Sequence, residues 1–208
     1  MSKSGEFLVL DAEPGRFALY GYLNITLAVW TARVQVDALD RLARASDAYC
    51  QQHPEGLSNI HLVQHDIGLP DARTRKHLIE ISRRATPHLA TVTAVVGGQG
   101  FWASRMRSLI TGVRMMVPGP FELRLVGSVG EIVEWLPQAH ERRTGVSVAP
   151  DALRTWISRC DTRALRGSGA SGIEALRNGR DPATQPVQPS ASLLKAASLP
   201  PPASAQGG

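Results

Sequence analysis

An α/β fold with a mixed sheet of about five strands is what this sequence predicts, and three observations carry that expectation. The opening runs FLVLD (7–11) and RFALYGYL (16–23) are β-rich and separated by E-P-G, so they read as an antiparallel hairpin. After them, β-type and helical periodicities alternate as far as residue 143, the pattern of strand–helix–strand units that place strands in parallel. The run ATVTAVVGG (90–98) is almost uniformly apolar and rich in β-branched residues, as expected of a strand buried on both faces near the middle of a sheet.

The remaining elements follow in order. From about Thr26 the period changes: Trp30, Val34, Leu42, Ala45 and Tyr49 approximate one helix face, with Asp37, Asp40, Arg41, Arg44 and Asp47 on the others. This helix is expected to end near His53, before P-E-G. NIHLVQH (59–65) is the next strand. Asp71 stands where an N-cap would start a second helix, and Pro87 stops it near Ala85, because proline disfavours helical backbone at the residue before it. After Gly100 a stripe of Trp102, Met106, Leu109, Ile110, Val113 and Met116 predicts a third helix, which V-P-G-P terminates. FELRLV (121–126) is a short strand. Ser128 and Glu131 then have the S-x-x-E spacing of a capping box ahead of Ile132, Val133, Trp135 and Leu136. A last helix, from Asp151 to about Leu165, aligns Leu153, Trp156, Ile157, Cys160 and Ala164.

The order is thus β-β-α-β-α-β-α-β-α with an additional helix: an α/β domain over 1–145, a C-terminal helix within 146–166, and a tail over 167–208. The tail is Gly, Pro, Ser and Ala with too few large apolar groups to offset ordering entropy, so disorder is expected. Trp156 and Ile157 would be exposed unless the last helix docks on the core, which leaves a homodimer open. The start has no sustained apolar segment, no run approaches the length of a membrane span, and Cys50 and Cys160 are isolated, so a cytoplasmic protein with reduced thiols is expected.

The formal charge is +5, but aromatic residues make up only 5%. Two of those net charges lie from Arg166 onward, which leaves about +3 for the predicted domain, an ordinary solubilising charge that argues against a nucleic-acid partner. The densest basic cluster is Arg73, Arg75, Lys76, Arg83 and Arg84 on the second helix.

The glycine cluster read from Gly98 as G-Q-G-F-W-A fits the permissive dinucleotide fingerprint G-x-G-x-x-A between a strand and a helix. The ribose-binding acid should then close the following strand, but Glu122 opens it, and two strand–helix units precede the motif. Gly97, Gly98 and Gly100 therefore read as a tight turn, which glycine allows by reaching positive φ without steric cost. His61 and His65 would share a strand face roughly 13 Å apart, too far for one metal ion. Ser104 and Cys50 lie on helices without an activating base. No catalytic residue, cofactor or metal is expected, and the chain reads as a non-enzyme.

With TAVVGGQGF leading into WASRMRSLITG, and ELRLVGSVGEIVEWL at the end, residues 6–143 resemble the STAS domain, named from sulphate transporters and anti-sigma factor antagonists, and in particular its divergent bacterial members. The resemblance implies a non-enzymatic regulatory module of the bacterial cytoplasm that binds partner proteins, and sometimes ligands, through loops and first helical turns. Anti-sigma factor antagonists carry a phosphorylatable serine at the start of the second helix. Here HDIGLPDARTRKH has none, Thr74 is the nearest hydroxyl, and the phosphorylation switch is not carried over. The expected binding surface comprises Gly98, Gly100, Phe101 and Trp102 with Asp71, Arg73, Thr74 and Lys76, meeting an unidentified protein partner. The alternative is a small molecule or anionic lipid at the 97–102 turn and the basic helix.

Overall fold

The computed structural model describes residues 7–65 and 67–166, so the expected disordered tail lies outside the described residues. Six strands form one sheet: Leu8–Glu13 (β1), Phe17–Tyr22 (β2), Ile25–Trp30 (β3), Leu57–Val63 (β4), Leu89–Val95 (β5) and Glu122–Val126 (β6). Their spatial order is their chain order, β1-β2-β3-β4-β5-β6. β1, β2 and β3 are antiparallel neighbours, and β3 through β6 are parallel. The class is therefore α/β with a mixed sheet, as the sequence predicts.

The sixth strand is a correction. β3 occupies residues that the sequence assigns to the start of a helix, and that helix, Val36–Cys50 (α1), begins six residues after Trp30. Trp30 falls in a helical stripe by coincidence of spacing, whereas ITLAVW is a fully buried strand in which all six side chains are covered. The turn that enters it contains no glycine: Leu23 adopts φ 52°, strained for a branched side chain.

The other helices are Ala72–Ala85 (α2), Phe101–Met116 (α3), Val129–Thr144 (α4) and Pro150–Arg166 (α5), with a 3-10 turn at Thr86–His88. The crossovers from β3 to β6 advance in one direction across the sheet. Right-handed crossovers of that kind put their helices on one face, and α1, α2 and α3 share a core with Phe17, Leu19, Ala28, Trp30 and Val63. The opposite face belongs to α4 and α5: Ile132, Leu136, Leu153, Trp156 and Ile157 join Tyr20, Ile25, Leu27, Ile60, Leu62 and Val126. Trp156 and Ile157 are 4% and 1% exposed, and Trp156 stacks on Tyr22 at 5.4 Å. The apolar face that left self-association open is thus consumed inside the chain.

The second core contains a buried polar chain. Asn24 donates its Nδ2 to the Gly56 carbonyl, so its Oδ1 accepts from His140 Nε2–H at 2.7 Å. His140 Nδ1 then carries the lone pair and accepts from the Ser58 hydroxyl at 2.7 Å. These bonds fix the imidazole as the neutral Nε2–H tautomer, and burial lowers its pKa to about 4.

Candidate functional site

Parallel strands place the loops after β3, β4 and β5 along one edge of the sheet, and the residues singled out in the sequence meet there. β5 runs into Gly98 and Gly100 at φ 80° and 99°, backbone that a side chain would strain. α3 starts at once after Gly100, which caps it without a side-chain bond. The two aromatics then separate. Trp102 turns inward, donates its indole N–H to the Ile67 carbonyl at 2.9 Å and packs on the His65 ring at 5.0 Å, which ties the β5–α3 loop to the β4–α2 loop. Phe101 turns outward and is 77% exposed, with the Arg105 guanidinium 5.1 Å from its ring centroid. Arg107 reaches back beneath the turn and donates to the carbonyls of Val96 and Gly98 at 2.9 and 3.0 Å, so the turn is held from both sides.

The neighbouring loop ends at the N-cap of α2. Asp71 Oδ1 accepts from the Thr74 N–H at 2.8 Å, as its position in the sequence predicts. That hydrogen bond, with the Thr74 hydroxyl, Arg33 and Arg73 as further contributors, holds the Asp71 carboxyl below its ordinary pKa. Arg33 from the β3–α1 loop stands 4.0 Å from Asp71. Thr74, expected on the binding surface, is only 3% exposed, and its N–H and hydroxyl both turn toward Asp71. Arg73 and Lys76 are exposed. Sequence reasoning did not pick out Arg33, Arg105 or Arg107. Their roles depend on which loops become neighbours, and no local spacing encodes that.

The edge is unsuited to a dinucleotide. Open α/β sheets bind such ligands in the crevice where strand order reverses, and the parallel strands here never reverse. Glu122 opens β6 and pairs with Arg142 at 3.2 Å. Ser104 is exposed on α3. The Cys50 thiol has its pKa raised, by burial first and by Asp47 and Glu55 after it. His61 and His65 do not converge; the first accepts from Trp30 Nε1–H at 3.3 Å while the second faces Trp102. Among the described residues no group of three or more His, Cys, Asp or Glu could hold a metal ion, and no helix is long and apolar enough to cross a membrane.

No protein-family model matches this sequence, and no curated protein matches it significantly.

Proposed function

We propose that the chain is a non-enzymatic regulatory module of STAS-like type that recognises a protein partner in the bacterial cytoplasm through the loop edge beside α2 and α3. The observation that carries this reading is Phe101: a large aromatic, 77% exposed, on the first turn of a helix whose approach is immobilised by Trp102 and Arg107. Exposed aromatics on rigid supports are the usual energetic centres of interfaces, since little side-chain entropy is lost when they are covered. Arg105 stands over the Phe101 ring, and Arg33, Arg73 and Lys76 add positive charge on the neighbouring β3–α1 loop and α2, which favours a partner whose rim is acidic and whose centre offers an apolar pocket.

The test is a photo-crosslinking amino acid placed at Phe101 and, as a control on the opposite face, at the exposed Glu134 of α4. The expected result is a discrete conjugate from position 101 in living cells, absent from 134 and weakened when charge-reversing substitutions are made at Arg73 and Lys76. Equal, diffuse labelling from both positions would overturn the reading. A second reading, an anionic ligand or lipid at the same edge, has the exposed Arg73, Arg75 and Lys76 in its favour. Cosedimentation with phosphatidylglycerol vesicles that vanishes with added salt, and no conjugate from position 101, would select it.

A further inference from the structure

A cleft of about 210 Å³ lies between the sheet and its three crossover helices. Its walls are Leu78 and Ile81 of α2 and Leu109, Ile110 and Val113 of α3; its floor is Val92 on β5 with Asn59 and His61 on β4. Strand alternation puts Asn59 and His61 on one face, two residues apart and so roughly 6.5 Å from each other along the strand. Both keep accessible area in the interior of the sheet, as does Val92. That area opens on the cleft.

The two polar floor residues offer hydrogen bonds that the protein does not use. His61 Nδ1 accepts from the Trp30 indole N–H, which leaves the proton of the neutral ring on Nε2. Asn59 Oδ1 accepts from the Thr26 hydroxyl at 2.8 Å, which leaves its Nδ2 amide to donate. Neither His61 Nε2 nor Asn59 Nδ2 has an acceptor among the described residues. Two neighbouring donors in apolar walls are a receptor for an acceptor oxygen. The floor is also uncharged: desolvation lowers the His61 pKa to about 4, so at physiological pH it offers a carboxylate no cation to replace lost hydration, and the arginines of the lining, Arg84 and Arg114, belong to α2 and α3 rather than to β4. Size follows from volume. A dry cavity of about 150 Å³ accommodates benzene, so this cleft has room for one ring with a short substituent, on the order of ten non-hydrogen atoms. Ser46 and Ser82, with the charged and exposed Asp47 and Arg84 and with Arg114, which donates to the Val117 carbonyl, form the polar side of the lining.

We propose that this cleft is a binding site for a neutral, mainly apolar small molecule bearing a carbonyl-type oxygen, which His61 Nε2–H and Asn59 Nδ2–H hold against β4. The site is separate from the loop edge that carries Phe101, and its loss would leave the partner-binding reading intact.

Three probes of similar size test it by NMR titration of the uniformly ¹⁵N-labelled chain: acetophenone, its hydrocarbon counterpart cumene, and benzoate. Acetophenone is expected to saturate, to shift the His61 Nε2 and Asn59 Nδ2 resonances, and to bind about 3- to 10-fold more tightly than cumene, the factor for one net hydrogen bond. His61→Leu should abolish that preference while retaining cumene, and Asn59→Leu gives a second reading of the same loss should the first variant fold poorly. Val113→Trp, which fills the cleft from α3, should exclude both neutral probes with the amide spectrum otherwise preserved. The proposal is overturned if neither neutral probe moves the β4 resonances, if binding survives Val113→Trp, or if benzoate binds as well as acetophenone.

Discussion

Lowering the pH from 7 to 5 should destabilise this protein through two buried histidines, His140 and His61. His140 and His61 both have folded-state pKa values near 4, against an ordinary value of 6.5, and burial is the leading cause in each. The unfolded chain therefore takes up protons first. Stability is complete above pH 6.5, falls as the pH drops below it, and stops falling on this account near pH 4. At pH 5 each histidine should have cost about 2 kcal/mol, and the pair about 4 kcal/mol. Carboxylates act lower down: Asp37, held at about 2 chiefly by its hydrogen bonds from Arg16, contributes stability that is lost only below its ordinary 3.8. With a urea slope of about 2 kcal/mol/M, the unfolding midpoint should move down by about 2 M between pH 7 and 5. His140→Gln keeps an acceptor for Ser58 and a donor for Asn24 but does not titrate, so it should halve the displacement. A midpoint that moves by less than about 0.5 M, or an equal displacement in wild type and His140→Gln, would refute the argument.

Other consequences are simpler to read. Ser128 Oγ accepts from the Glu131 N–H at 3.4 Å, and the Glu131 carboxylate accepts from Gly127 N–H at 3.0 Å, so Ser128→Ala should lower unfolding free energy by about 1 kcal/mol in urea titration. Gly21→Ala would put a methyl 2.8 Å from the Tyr49 ring, and the resulting overpacking should cost about 1–3 kcal/mol in the same assay. Phe101→Ser should leave the unfolding free energy within about 0.5 kcal/mol of wild type while eliminating partner binding, the separation expected of an exposed recognition residue. Cys50 should react with iodoacetamide at pH 7.5 more slowly than a free thiol, and Cys160, which is 0% exposed, only after unfolding.

Legibility in the sequence differs sharply between neighbouring elements, for physical reasons. The helix starts at Asp71 and Ser128 are local: a side-chain oxygen meets an N–H three residues on, so the spacing suffices to find them. β3 is not local. Its hairpin turn, Leu23 and Asn24, lacks the glycine that such turns advertise, and distant groups hold the strained backbone instead. Tyr49 donates its hydroxyl to the Leu23 carbonyl, and Asn24 is gripped by His140 and Gly56. Without knowledge of those contacts, ITLAVW continues equally well into either periodicity. The same distinction separates Phe101 from the cleft. The choice between the two aromatics could be posed from sequence, because one must leave the core when both follow a tight turn. His61 and Asn59 are single polar positions on a strand, and no local spacing shows that the cleft under α2 and α3 leaves their donors without acceptors among the described residues.

The sheet is laid down in the order in which the chain is synthesised, each strand beside the one before it. Its covering is not. α1, α2 and α3 close their face progressively, but Tyr20 and Leu27 share their core with Leu153, Trp156 and Ile157, more than a hundred residues later. On a nascent chain the apolar side of β2 and β3 therefore waits for α4 and α5, an interval of roughly ten seconds at about 5–20 residues per second. A polypeptide released between Val126 and Leu153 would present a complete six-stranded sheet whose apolar side over β2 and β3 lacks Leu153, Trp156 and Ile157, open to every other hydrophobic surface in the cell.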